Sequence, residues 1–170
     1  REVDNHVQYF AGQGAQAALI TCSSIGSAAA HAQAATGVPV FRIDTPMAKQ
    51  AVELATREGA SGRVGVLAAL DSTIGPTMSL LEETAASACS SITFQAEVVA
   101  GAWDARVRGD QELADQLITA EIERMAQGVD AVVLAQASMT CAAALAKATV
   151  PVLTSPKSGV AAFAAAVLKI

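Results

Sequence analysis

The chain has 170 residues, 52% of them hydrophobic, with a net charge of −5 and a mean hydropathy of +0.40. That length suits one compact domain or two small lobes around a real core. No cluster of Lys and Arg is present to meet phosphates, which argues against a nucleic-acid partner. No apolar run reaches the ~20 residues that span a bilayer, which argues against a membrane one. Cys22, Cys89 and Cys141 are odd in number and far apart, as reduced thiols of a cytoplasmic protein would be. His6 and His31 lack the spacing of metal ligands, so no metal site is expected. The chain has no signal-peptide pattern, in keeping with a cytoplasmic location.

Short runs rich in Val, Ile and Leu alternate with helix-length segments. In chain order the runs are AALIT (17–21), VPVFRI (38–43), RVGVLAAL (63–70), ITFQAEVV (92–99), AVVLAQ (131–136) and VPVLTS (150–155). They are almost continuously apolar, as strands buried on both faces should be. Helical patterns run from about Thr45 to Glu58, from Pro76 to Ala88 and over 110–128, and GVAAFAAAVLKI closes the chain as a packed helix. Strands alternating with helices predict an α/β fold with parallel sheets.

The sequence also repeats itself. AGQGAQAALITCSS aligns without gaps on MAQGVDAVVLAQAS at an offset of 114 residues, so Cys22 matches Gln136. GVPVFRIDTP at 37–46 likewise resembles TVPVLTSP at 149–156. Two similar lobes are the simplest account. The expected boundaries are 1–62 for an N-terminal lobe, 63–157 for a C-terminal lobe and 158–170 for a terminal helix packing back on the first. The same offset puts the counterpart of RVGVLAAL roughly fifty residues before Arg1, so the first strand region of the N-terminal lobe is expected to lie outside this chain.

In parallel sheets, ligands bind beyond the carboxyl ends of the strands. Cys22 stands at such an end, with Ser23 or Ser24 as N-cap of the following helix. The free N–H groups and partial positive charge of a helix N-terminus favour a thiolate and would hold a carboxylate. Ser72 and Thr73, after the strand RVGVLA, are hydroxyl donors at another strand end or simply helix caps. Asp44 is more readily an N-cap than a site residue. Cys89, Cys141 and Trp103 are expected to pack, and neither histidine is expected to take a direct part.

TCSSIG (21–26), RIDTPMA (42–48), RVGVLAALDSTIGPT (63–77), LAQASM (134–139) and PVLTSP (151–156) come in an order that resembles the aspartate/glutamate/hydantoin racemase superfamily, in its TCSS/LAQASM branch. The resemblance spans nearly the whole chain. It implies two similar α/β lobes related by a pseudo-twofold, an active site in the cleft between them, no cofactor, a small carboxylate substrate, and a homodimer as a common assembly. It also implies proton transfer at the carbon next to a carboxylate, by two cysteines that face the substrate from opposite sides. By its motif, Cys22 is the first-lobe thiol. Thr21, Ser23, Ser24, Ser72, Thr73, Gln136, Ala137 and Ser138 are then the substrate-binding positions. At the place of the second thiol stands Gln136, whose neutral amide is neither base nor acid near pH 7. Ser138 could bind substrate, but it has no neighbouring base to activate it.

Three readings follow. The first is a cofactor-independent racemase or isomerase acting beside a carboxylate, with Cys22 as acid/base and Gln136 in place of the second thiol. The second is a one-thiol decarboxylase of a malonate-like acid, since loss of carbon dioxide creates a carbanion without removal of a proton. The third is a catalytically idle protein that binds a small anion.

Overall fold

A computed structural model describes residues 2–169. Six strands alternate with helices. The helix α1 (Glu2–Gly12) leads to β1 (Ala18–Ile20), α2 (Ala28–Thr36), β2 (Val40–Arg42) and α3 (Thr45–Thr56). There follow β3 (Arg63–Ala68), α4 (Ile74–Ser87), β4 (Thr93–Val98), α5 (Ala102–Val107) and α6 (Gln111–Met125). The chain ends with β5 (Ala131–Leu134), α7 (Thr140–Leu145), β6 (Val152–Leu153) and α8 (Ser155–Val167). Each strand falls inside one of the apolar runs of the sequence.

Every strand pairing is parallel. A small sheet has the order β1-β2 and a large one the order β4-β3-β5-β6. The internal repeat is visible in the hydrogen-bonding register. Ala18 pairs with Val40 and Leu19 with Phe41 in the small sheet, and Val132 pairs with Val152 and Val133 with Leu153 in the large one. An offset of 114 residues carries Ala18 to Val132, and one of 112 carries Val40 to Val152. The sequence repeat is therefore also a repeat of backbone pairing.

Side-chain alternation sorts the large sheet into two buried faces. Leu67, Val132 and Leu134 join Ile118, Ile122 and Met125 of α6 under α5, α6 and α7. Val64, Val66, Ala131 and Val133 face Met47, Ala48, Ala51 and Ala55 of α3 together with Leu80 and Leu81 of α4. The expectation of burial on both faces fails for β4, none of whose residues is buried. This strand is an edge, and Thr93, Gln95 and Glu97 give it the polar alternation of an exposed face.

The two sheets exchange their covering helices. The helix after β2, α3, has its buried side chains in the core of the large sheet. The helix after β6, α8, returns to the small sheet, where Phe163 meets Phe41 edge-to-face at 5.4 Å between ring centroids. A Cβ on Gly159 of α8 would run into the backbone carbonyl of Ile43, so glycine is what allows this helix to lie against the end of β2. On the other face of the small sheet, Val7 of α1 and Ala29 and Ala32 of α2 close over Ile20 and Val40.

At the opposite end of the large sheet from the strand-end turns, Asp130 ties β3 to β5. Its carboxylate accepts from the amides of Ser61 (2.8 Å) and Arg63 (2.9 Å) and from the Ser61 hydroxyl (3.0 Å). Desolvation pushes its pKa up, but the donors from Ser61 and Arg63 outweigh it and hold the carboxyl below its usual range. A depressed carboxylate pKa gives stability that is present above the unfolded value, about 3.9, and lost as pH falls through the folded one. The stability gap between the wild-type chain and Asp130→Asn should be widest at pH 7 and close as pH falls below about 4. Urea denaturation at several pH values measures it, and a gap independent of pH would mean that the charge is not what matters.

Candidate functional site

Three of the strands, β1, β3 and β5, end in the same way. An extended residue is followed by one turn of 3-10 helix and then by an α-helix. The extended residues are Cys22 (φ −98°, ψ 116°), Leu70 (φ −130°, ψ 128°) and Gln136 (φ −128°, ψ 135°). The turns are Ser23–Ile25, Asp71–Thr73 and Ala137–Met139. In each, the carbonyl of the extended residue accepts from the amide three positions on: Ile25 (3.3 Å), Thr73 (3.1 Å) and Met139 (3.0 Å). Cys22 and Gln136 thus hold equivalent backbone positions, one after β1 and the other after β5.

The three turns converge on one cleft of about 370 Å³. Thr21, Cys22, Ser23 and Ser24 line it from the small sheet, with Leu70, Ser72 and Thr73 after β3, and Ala135, Gln136 and Ala137 after β5. Of the substrate-binding positions expected from the sequence, only Ser138 is not a lining residue; it is exposed on the far part of its turn. Trp103, expected to pack, lines the cleft and is 42% exposed. Its signal in the sequence is position: GAWDA follows β4, so it too comes off the carboxyl edge of the sheet.

Hydrogen bonds divide the hydroxyls. The Ser23 hydroxyl donates to the carbonyl of Ala135 (3.0 Å) and so bridges the two sheets at the floor of the cleft. The Thr73 hydroxyl donates to Leu70 O (2.7 Å) inside its own turn. Both protons are committed to the protein, and these two residues can offer a ligand only lone pairs. Thr21, Ser24 and Ser72 have hydroxyls without a partner among the described residues and are exposed in the cleft.

Gln136 is held by its carbonyl. Its Oε1 accepts from the amides of Ala69 (2.7 Å) and Leu70 (3.1 Å), the residues that begin the β3 turn. Two N–H donors fix which end of the carboxamide is oxygen, and the Nε2 donors have no acceptor among the described residues. Gln136 therefore offers the cleft a positioned N–H donor and no acid or base.

Several expectations need correction. Ser23 and Ser24 do not cap an α-helix, because a 3-10 turn intervenes and α2 starts only at Ala28. The N-terminus of α2 is therefore displaced from Cys22. Asp44 occupies the N-cap position of α3 but makes no capping bond. Its buried carboxylate instead takes both oxygens to Arg42, at 3.0 Å to Nε and 3.0 Å to Nη2, away from the cleft. All three cysteines are free and exposed, so Cys89 and Cys141 are not packing residues, and neither lines the cleft. His31 hydrogen-bonds Asp4 (3.1 Å) on α1, and neither His31 nor His6 lines the cleft. Among the described residues no group of three His, Cys, Asp or Glu is placed to hold a metal. No helix among them is long and apolar enough to cross a membrane.

Parallel strands with helices on both sides, and a thiol and a fixed carboxamide on matching strand-end turns, define an α/β protein with a cleft between two related halves. The chain belongs to the Asp/Glu/Hydantoin racemase family, whose model matches residues 1–163. No curated protein matches it significantly. Its fold is similar to that of glutamate racemase from Francisella tularensis, solved in complex with D-glutamate (TM-score 0.70, 13% identity, 98% of this chain and 62% of that one). It is also similar to glutamate racemase from Aquifex pyrophilus (0.65, 14%, 100% and 65%) and to glutamate racemase isoform RacE1 from Bacillus anthracis (0.63, 14%, 98% and 66%). At these identities the likeness is one of fold, and the chain spans about two thirds of the length of these structures.

Proposed function

We propose that the protein is a racemase-family enzyme that needs no cofactor and acts at the carbon next to a carboxylate of a small acid, with Cys22 as the acid/base thiol. The observation that carries this reading is the convergence of Cys22 with the free hydroxyls of Thr21, Ser24 and Ser72 in one cleft. Neutral donors hold a carboxylate there, and an exposed thiol stands among them. As a thiolate, Cys22 takes the proton from the carbon beside the carboxylate, and the electron pair moves onto the carboxylate as an enediolate. The Nε2–H of Gln136 steadies the charge that builds on those oxygens. Return of a proton to the opposite face needs an acid other than Gln136.

The fixed carboxamide favours a second reading, one-thiol decarboxylation. Here the bond to a second carboxylate breaks, carbon dioxide leaves with that carbon, and its electron pair forms the same enediolate. The Cys22 S–H protonates it, and solvent restores the thiol. No second acid is required. Proton NMR in heavy water, with amino acids, hydantoins, hydroxy acids, maleate and substituted malonates, separates the two. Inversion with deuterium uptake marks racemisation, and loss of a carboxylate marks the lyase. No turnover across the panel would count against both and favour an idle anion-binding protein.

Gln136→Glu tests the amide. The new carboxylate keeps an oxygen for the amides of Ala69 and Leu70 but loses the N–H donor and repels an anion. The melting temperature should hold while KM for the acid rises at least about tenfold, equivalent to about 1.4 kcal/mol. Gln136→Ala, by contrast, strips both amides of their acceptor and should cost about 1–3 kcal/mol of stability. An unchanged KM in Gln136→Glu would remove the residue from the binding site.

A further inference from the structure

We propose that Trp103 sets the substrate preference of the cleft, selecting acids whose reacting carbon carries a flat apolar group that lies against the indole. This inference rests on the reading of the cleft as a carboxylate site. All of the lining but Trp103 comes from the strand-end turns. The hydroxyls and Gln136 belong to the strand-end turns, whereas the one aromatic side chain comes from α5, beyond the edge strand β4. A carboxylate held by the turns leaves the rest of a 370 Å³ cleft to its other substituent, and a volume of that order accommodates far more than a two- or three-carbon acid.

The helix that carries the indole is held in place. Gly101, at φ +75°, turns the chain sharply from β4 into α5, a conformation that favours glycine. Ala102 and Ala105 of α5 are fully buried, which pins the helix to the core under α6. Arg106 of α5 faces Asp115 of α6 as an ion pair at 3.5 Å, and Gln111 of α6 donates to the same carboxylate (2.9 Å). Trp103 lies between the two buried alanines in sequence yet stays 42% exposed at the cleft. A large apolar ring left open on an anchored helix gains most from a ligand that covers it. Aromatic partners add offset-stacked or edge-to-face contacts to that burial.

Trp103 is the only tryptophan in the chain, so its emission reports on this one place. The first arm titrates Cys22→Ala, whose turnover should be slow on the timescale of the titration, with phenylsuccinate, mandelate and phenylmalonate, and with their methyl counterparts. The proposal expects a saturable change in emission with at least one aryl acid, and a much weaker one with the methyl acid at the same concentration. The second arm compares kcat/KM for whichever acid of each pair the wild type turns over. In Trp103→Ala the ratio of aryl to methyl should fall at least tenfold, and Trp103→Phe should recover most of it. Because it is a ratio, partial loss of folded protein does not move it. Equal emission changes for aryl and methyl acids, none at all, or an unchanged ratio would each overturn the proposal. Turnover that survives in Cys22→Ala would instead defeat the assignment of the thiol, and the emission titration would still decide the role of Trp103.

Discussion

Cys22→Ala should lower kcat/KM by about 10²–10⁴, the usual contribution of a positioned acid or base, while ligand affinity and melting temperature stay near wild type. The reasons are local. The Cys22 side chain is exposed, so its loss leaves no cavity, and surface substitutions usually shift stability by no more than about 0.5 kcal/mol. The turn it precedes is held by backbone bonds from Ile25 and Gly26, and by the Ser23 hydroxyl on Ala135, none of which uses the thiol. Cys22→Ser should be nearly as inactive, since no Asp, Glu, His or Lys lines the cleft to act as base for a hydroxyl. Cys89→Ala and Cys141→Ala, outside the cleft, should be indistinguishable from wild type. Deuterium uptake and carboxylate loss, followed by NMR, measure the effect. Turnover within threefold of wild type in Cys22→Ala would end the thiol mechanism in either form.

Asp44→Ala should destabilise the fold by about 3–5 kcal/mol, the range for removal of one partner from a buried ion pair. The side chains of Arg42 and Asp44 are only 12% and 2% exposed, and the pair is bidentate. Without Asp44, the guanidinium stays in a place with little water to solvate it. The effect reaches the cleft through Gly26. A Cβ at Gly26 would lie 2.6 Å from Arg42 Nε, so the guanidinium packs directly on the turn that follows Cys22. The glycine of TCSSIG thus makes room for an arginine of the next strand. Replacing both charges, as in Arg42→Met with Asp44→Leu, should recover much of the loss, because a pair of apolar residues leaves no orphan charge. Urea denaturation of the single and double variants gives the comparison. A cost below about 1 kcal/mol for Asp44→Ala would place the pair with solvated surface bridges.

Much of this fold is written locally. Runs of Val, Ile and Leu mark the covered strands because parallel strands packed on both sides admit few polar residues. ITFQAEVV departs from that pattern in its own sequence, where Thr93, Gln95 and Glu97 alternate with less polar neighbours. The equivalence of Cys22 and Gln136 was legible because an ungapped repeat preserves backbone register. What lay beyond reading depends on distant partners. Nothing near Ser23 announces that its proton goes to Ala135, 112 residues away. Asp44 looks like a helix cap until the strand direction of Arg42 brings the guanidinium alongside. Trp103 sits on a helix of six residues, too short to show an apolar period, and only the sheet order brings that helix to the cleft.

The exchange of α3 and α8 gives the halves a shared fate. Each sheet is roofed by a helix that begins at the end of the other's last strand, so neither half owns a complete hydrophobic layer. Sliding the sheets apart would strip Met47, Ala48 and Ala51 from one and Phe163 from the other in a single motion. Any widening of the cleft to admit or release a ligand must therefore be a flexing about this clasp, with both roofs in place. A cut between the halves would yield two unroofed fragments rather than two small proteins.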